Sequence, residues 1–346
     1  MPTFEEKLKT YYEENGRDLP WRENASPYTV LLSEVMLQQT RVEAVKAYYR
    51  RFLSRFPDVK SLAESEEDEV LKLWEGLGYY SRARNLRKAA IAVMENFDGE
   101  FPSSKKELLS LPGVGEYTSS AIASIAFHKK DIAVDGNLLR VFARLTSYPH
   151  DIKSPKAKED CYDYLSSRLK KIDPSIFNQS LMDLGEITCI PNGAPHCESC
   201  PLADICLAHK QKLETSFPVV PPKKEKPHKK MTVLLFLKDS KVGIVKRPAS
   251  GLLANLYGFP MEEGHYDENA LRDLLASKGI KVLRMRPMIK KKHVFTHLVW
   301  DMEGYPIEVA DAPVRFVSEK ERQESYSLPS AFKGLEEELL KLNLLC

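Results

Sequence analysis

The feature that most limits how this chain can fold is a change of period part-way along it. From residue 4 to about residue 187, apolar residues recur three and four apart, as in "FEEKLKTYYEE", "EAVKAYYRRFLSRF", "SEEDEVLKLWEGL", "RARNLRKAAIAVMENF", "GEYTSSAIASIAF", "NLLRVFARL" and "KAKEDCYDYLSSRLKKI". Beyond residue 230 the pattern becomes that of strands, in "TVLLFL", "KVGIVK" and "HVFTHLVWDMEGYPIEV", around helices expected in "DENALRDLLAS" and "SAFKGLEEELLKL". The chain is therefore expected to be multidomain, with an all-α first half and a smaller α/β domain behind it. Ser65 three before Asp68, and Ser104 three before Glu107, read as capping boxes, while Pro155 and Pro174 suit first helical turns. Between the halves, "SFPVVPPKKEKPHKK" holds four prolines and five lysines and reads as an extended linker. The expected ranges are 1–210, a linker over 211–230, and 231–346.

Charge adds little, because 51 Lys+Arg against 49 Asp+Glu leave any polyanion-binding surface to local clustering. No apolar run reaches the roughly 18 residues of a membrane helix, and the acidic start has no signal-peptide plan. The expectation is a soluble, cytoplasmic protein. Four of the six cysteines fall between 189 and 206, spaced C-x7-C-x2-C-x5-C, with Cys161 and Cys346 apart. Thiolates this close together converge on one metal centre more readily than they build a disulfide framework in a reducing compartment. Spacing alone leaves zinc, with His196 as a substitute ligand, and an iron-sulfur cluster both open.

Two further stretches carry chemistry. "LLSLPGVGEYTSSAIASIAF" sets a helix end, a Pro-Gly-x-Gly turn and a second helix start side by side, about residues 104–127. The N–H groups of Gly113, Val114 and Gly115 can grip a phosphate there without reading a base, although an ordinary αα-corner has the same signature. In "AVDGNLLRVFARL", Asp135 suits a helix N-cap and can also face a developing positive charge, with Asn137 fixing its carboxylate. Glu34 is the oddity. In a helical reading of "LSEVMLQQTRV" it shares a stripe with Val30, Leu31 and Leu37, so a carboxylate lies among side chains that favour burial; an ion pair with Arg41 is the bland explanation.

Taken together, "LPGVGEYT", "AVDGN" and the four-cysteine loop resemble the endonuclease III-like helix-hairpin-helix DNA glycosylases that carry a 4Fe-4S cluster. "LPWR", "SEVMLQQTRV", "WEGLGYYSRARNL", "GLLANLYGFP" and "HVFTHLVW" resemble, in order, stretches of the MutY-type adenine glycosylases within them. The resemblance covers nearly the whole chain. It implies a monomeric, monofunctional enzyme of base excision repair that removes adenine mispaired with 8-oxoguanine or guanine in duplex DNA. Glu34 then falls on the general acid and Asp135 on the carboxylate that stabilises the sugar cation. Desolvation is expected to raise Glu34 while helix amides keep Asp135 ionised. Tyr117 stands where bifunctional relatives carry a lysine; a phenol forms no Schiff base, so base removal without strand incision is expected. A bifunctional glycosylase/AP lyase is the alternative that this residue disfavours. A non-catalytic DNA-binding protein and a nucleotide pyrophosphatase are the readings from other classes.

By the same matching, Trp21, Arg22, Leu37, Val42 and Gln179 line the pocket for the extruded adenine. Gln39, Thr40, Leu77 and Tyr79 fill the gap and contact the 8-oxoguanine strand. Cys189, Cys197, Cys200 and Cys206 ligate the cluster, with seven residues between the first two where six are commoner. The C-terminal domain resembles the Nudix fold, yet "GHYDENALRDLLASKG" lacks the glutamates of a hydrolase metal box, which implies recognition without hydrolysis. Phe295, Thr296 and His297 match the lesion-sensing loop, with threonine in place of the usual serine, and Gln179 stands where a relative carries glutamate.

Overall fold

The computed structural model describes residues 2–222 and 225–345. Lys223 and Lys224 of the expected linker, and the lone Cys346, lie outside the described residues. The chain divides into two compact units, Met1–Ser65 with Asn85–Lys223, and Glu66–Arg84 with Lys224–Cys346. The segment Glu66–Arg84 thus groups with the C-terminal residues, where the sequence suggests a single cut near residue 220.

The first unit is helical, and local chemistry sets its helix starts. Thr3 caps the helix Phe4–Asn15 in a reciprocal box with Glu6, Ser26 caps Pro27–Leu37, and Pro27, Pro155 and Pro174 each occupy a first turn, where the missing N–H costs nothing. Ser104 caps as expected, accepting from the Glu107 N–H. Ser65 does not. Its hydroxyl donates to the Leu62 carbonyl at 2.6 Å, and the next helix, Glu67–Leu73, starts behind Glu66 without a side-chain cap. The helix Pro27–Leu37 is buried from Tyr28 through Met36 and is packed by Val42–Arg55 and Glu116–Ala121. A buried cluster including Leu8, Leu138, Phe142, Leu165, Phe177 and Leu181 forms the core beneath Phe4–Asn15 and Pro174–Asp183.

Two helices widen at their ends. Glu116–Ala121 continues as a π-helical turn over Ile122–Ala126, and Pro174–Asp183 as another over Leu184–Thr188. The Cys189 N–H reaches five residues back to the Leu184 carbonyl at 2.7 Å, which rotates the following side chains off the regular helical register. The early part of the expected linker is fastened to this unit: Arg144 Nε donates to the carbonyls of Glu214 and Phe217, and Ile152 N–H to Val219.

Among the described residues the second unit is built on one sheet of eight strands: β1 (His228–Lys238), β2 (Lys241–Lys246), β3 (Tyr257–Gly258), β4 (Met261–Glu263), β5 (Val282–Met285), β6 (Ile289–Val294), β7 (Val299–Val309) and β8 (Arg315–Val317). The main path runs β3-β2-β1-β7-β5, and β1 and β7 pair in parallel over most of their length. Alternation assigns each face. Val233, Leu235 and Leu237 of β1 join Trp300 and Met302 of β7 beneath the helix Ser330–Lys341, while Leu234 and Phe236 join Tyr305 and Ile307 beneath Glu268–Ser277. Gly304 permits the first packing, because a Cβ there would come within 2.7 Å of the Leu335 side chain. The run "HVFTHLVWDMEGYPIEV" reads as one strand but is two, since Phe295–Leu298 turns back with the Phe295 N–H on the Leu298 carbonyl at 2.9 Å.

Candidate active site

In the helical unit a pocket of about 290 Å³ is lined by Glu34, Tyr117, Asp135 and Asn137 together with Trp21, Arg22, Leu37, Val42 and Gln179. Residues expected to do chemistry and residues expected to hold a base are therefore brought together. Thr40 lines this pocket too, while Gln39 is exposed with φ of 56°. That left-handed residue explains why the helical reading of "LSEVMLQQTRV" fails at its end: the helix stops at Leu37 and a new one starts at Val42. Arg41 consequently does not continue the stripe of Glu34; it precedes the second helix and lines the pocket wall. Arg17, Ser33, Gln38, Ile125, Met182 and Glu186 also line the pocket and were not anticipated. Ile125 and Glu186 sit in the two π-helical turns, whose geometry no helical period announces.

Glu34 is 7% exposed, and the Tyr117 hydroxyl donates to its Oε2. Burial pushes its carboxyl up to about 7, with the Asp135 charge adding to the rise and the Tyr117 hydrogen bond and Arg22 opposing it. Tyr117 is itself held well above its ordinary value, by burial first and then by the two carboxylates, so it remains a donor. Asp135 caps the helix Gly136–Thr146, its Oδ1 accepting from the Leu138 N–H at 2.7 Å and its Oδ2 from Asn137 Nδ2 at 2.9 Å. The helix amide of Leu138 and the Asn137 side chain favour the ionised form of Asp135, as expected of them, but they do not act alone. Burial outweighs those hydrogen bonds and raises it as well. What separates the two carboxylates is their partners: a phenol alone on Glu34, a helix N–H and an amide on Asp135.

The support behind Asp135 is tight. Asn137 Oδ1 accepts from Arg140 Nη2 at 2.8 Å, and the same nitrogen donates to the Gly185 carbonyl at 2.6 Å. Gly185 lies flat against Asn137, where a Cβ would come within 2.6 Å of the Asn137 Cβ. In the hairpin, Gly113 (φ 77°) and Gly115 are exposed and Val114 is buried, its N–H already bonded to the Leu111 carbonyl at 3.1 Å. Two of the three expected phosphate donors are thus presented outward, and the third anchors the turn.

Cys189, Cys197, Cys200 and Cys206 line one small cavity with His196, His209 and Glu214. Arg144 Nη1 donates to the Cys189 sulfur at 3.2 Å. Four sulfurs about one cavity, one facing a cation, suit a thiophilic centre. His209 and Glu214, hydrogen-bonded at 2.6 Å, stand close enough to Cys197 to form a mixed ligand group that the spacing of the cysteines did not foretell.

In the second unit, Gly78–Ser81, Gly251–Leu253, His293–His297 and Pro329–Ala331 line a further pocket of about 350 Å³. Tyr79, 44% exposed and with φ of 46°, shares a hydrogen bond between its hydroxyl and that of Thr296. Phe295 packs edge-on against Trp300 at 4.9 Å and His293 at 4.5 Å, which leaves Thr296 and His297 exposed at the tip of the β6–β7 turn. Leu77, expected beside them, is buried and does not line the pocket.

Among the described residues no helix is long and apolar enough to cross a membrane. The profile of the HhH-GPD superfamily base excision DNA repair proteins matches residues 32–166, and that of the NUDIX domain matches 232–337. The adenine DNA glycosylase of Buchnera aphidicola (subspecies Acyrthosiphon pisum) is 33% identical over 297 residues, covering 86% of this chain and 84% of its own. That of Mus musculus is 32% identical, covering 90% and 72%. Among solved structures, a thermostable thymine-DNA glycosylase matches with a TM-score of 0.55 at 29% identity, over 60% of this chain and 95% of its own. With relatives of this identity aligned over both of its parts, and the helical core matched besides, the chain belongs to the adenine DNA glycosylase family.

Proposed function

We propose that the protein removes adenine paired with 8-oxoguanine or guanine in duplex DNA, hydrolysing the N-glycosidic bond and leaving the strand uncut. The observation that carries this reading is a carboxyl raised to about 7 by burial, in one pocket with a second, differently hydrogen-bonded carboxylate. Near neutral pH Glu34 holds a proton and gives it to a ring nitrogen of the extruded adenine as the bond to C1′ breaks and its electrons leave with the base. Asp135, fixed by Asn137 and Leu138, stabilises the positive charge on the sugar. Water then adds at C1′ and its proton passes to the Glu34 carboxylate. Tyr117 keeps Glu34 oriented and offers no amine for a Schiff base.

Trp21, Arg22, Leu37, Val42 and Gln179 form the walls for the base. Gln39, Thr40, Leu77 and Tyr79, with Phe295, Thr296 and His297, are the proposed readers of the opposite strand; the exposed hydroxyls at Tyr79 and Thr296 support that reading. Gly113 and Gly115, with Val114 holding the turn, are the proposed phosphate contacts. Residues 1–210 and 231–346 are proposed as the catalytic and recognition domains joined by 211–230, the latter recognising without hydrolysing. The protein is proposed to act as a monomer on DNA in the cytoplasm. Cys189, Cys197, Cys200 and Cys206 are the proposed ligands of a 4Fe-4S cluster, which when bound would tie together four points of the loop.

The deciding assay uses duplexes with adenine opposite 8-oxoguanine, scored for free adenine and for strand breaks before and after alkali. Breaks that appear only after alkali are expected; breaks without it favour the glycosylase/AP lyase. Iron and sulfide in the purified protein are expected, and zinc in their place would refute the cluster assignment.

A further inference from the structure

One charged group near the pocket has no place in that chemistry. Asp183, at the end of the helix Pro174–Asp183 and one turn beyond Gln179, is wholly buried. Its Oδ2 accepts from Arg22 Nη1 at 2.7 Å and its Oδ1 from Arg22 Nη2 at 3.0 Å, a two-point fork. From the other side Arg17 Nε donates to Oδ1 at 2.6 Å and the Arg17 N–H to Oδ2 at 3.1 Å. Arg22 Nη1 also donates to the Arg17 carbonyl at 3.0 Å, and its guanidinium lies 5.5 Å from the centre of the Tyr12 ring. Both arginines line the pocket; Asp183 stands behind them and does not.

Resting on the proposed excision reaction, we propose that Asp183 is a positioning residue: it clamps Arg22 to the pocket wall and, with Arg17, sets how much positive charge Glu34 meets. Two guanidiniums and one carboxylate leave the cluster one positive charge in excess. The Asp183 side chain is wholly buried and those of Arg22 and Arg17 are largely so, where charges are screened less than at the surface and a change of one charge is felt across the pocket. The charged and titratable groups around Glu34 are Tyr117, which donates to it, Asp135, Arg22, Arg17, Arg41 and Glu186. In the Arg22–Arg17–Asp183 set the charge can be changed in either direction, at Arg17 or at Asp183, without altering Arg22, the proposed wall for the base. Removing the carboxylate leaves two uncompensated cations and favours the ionised form of Glu34. Removing Arg17 leaves a neutral pair and favours the protonated form.

The test is single-turnover adenine release against pH for the intact protein and for Asp183→Asn, Asp183→Glu and Arg17→Gln. Asp183→Asn is expected to move the alkaline limb to lower pH by about one unit, the scale of one added charge near a carboxyl. Arg17→Gln is expected to move it to higher pH, and Asp183→Glu to leave it near its original place. Opposite displacements are a signature that mere loosening of the fold does not produce. Limbs that coincide in all four proteins, or that shift the same way in Asp183→Asn and Arg17→Gln, overturn the clamp. Should Asp183→Asn fail to fold, an unmoved limb in Arg17→Gln still overturns it. An intact protein that releases no adenine instead refutes the excision reading itself.

Discussion

The pocket around Glu34 and the turn around Thr296 are opposite kinds of site. In the helical unit the groups proposed to act are each held by another: Glu34 by Tyr117, Asp135 by Leu138 and Asn137, Arg22 by Asp183. At the β6–β7 turn Phe295 is packed against Trp300, while Thr296 and His297 are exposed, Thr296 sharing one hydrogen bond with the exposed Tyr79. Burial in the first site shifts a carboxyl into the working range of a general acid, which exposure to water forbids. Exposure in the second leaves hydroxyl and imidazole ready for an incoming partner. Moving a proton calls for desolvation, whereas reading a surface calls for reach.

Three changes would sharpen or break this contrast. The largest effect is expected from Glu34→Gln, which keeps the shape and removes the proton. Single-turnover excision should fall by about a thousandfold, in the middle of the range for a lost general acid. Retained turnover would take Glu34 out of that role.

The same residue makes stability depend on pH. A carboxyl with an ordinary value of 4.5 that folding raises to about 7 is protonated in both states below pH 4.5 and adds nothing there. Between 4.5 and 7 the unfolded chain ionises and the folded one resists, so stability falls as pH rises, and above 7 the penalty is complete. It amounts to at most about 3 kcal/mol at 1.36 kcal/mol per pH unit. Glu34→Gln removes it, so at pH 8 the variant should unfold at higher denaturant than the parent, with the two curves converging near pH 4.5. Parallel curves would mean that burial does not strain this group.

Gly185→Ala should cost about 1–3 kcal/mol in denaturant unfolding, as overpacking does, and should also slow excision because the new methyl displaces Asn137 from Asp135. Stability loss with unchanged excision would show that Asn137 does not position that carboxylate. The smallest effect is expected at the exposed site. Thr296→Val keeps the shape and removes the hydroxyl, and should lower the preference for 8-oxoguanine over guanine opposite adenine by about 1 kcal/mol, the size of one hydrogen bond. Excision opposite plain guanine should be unchanged. A loss on both duplexes would assign Thr296 to general binding.

Particular residues show why some of this was legible in the sequence and some was not. The prolines at 155 and 174 and the cap at Ser104 act within one helical turn, and Asp135 caps its helix in the same way. The cap expected at Ser65 fails because its hydroxyl finds the Leu62 carbonyl behind it instead of an amide ahead. A continuous apolar run hid the turn at Phe295–Leu298, since apolarity reports burial and not direction. Ile125 and Glu186 escaped notice because a π-helical turn re-aims side chains without changing composition. Asp183 carried no local signal at all; its partners lie more than 160 residues away.

By itself the sequence determined the change from helical to strand period, the local helix starts, the crowding of four thiols, and the placing of Glu34 among apolar neighbours. These follow from interactions spanning a few residues. Only the tertiary structure decided that Glu34 shares a pocket with Asp135 and Tyr117, that burial raises both carboxylates, and that Asp183 stands behind Arg22. A pKa and a buried ion pair depend on what surrounds a group in space, and that environment exists only once distant segments have packed.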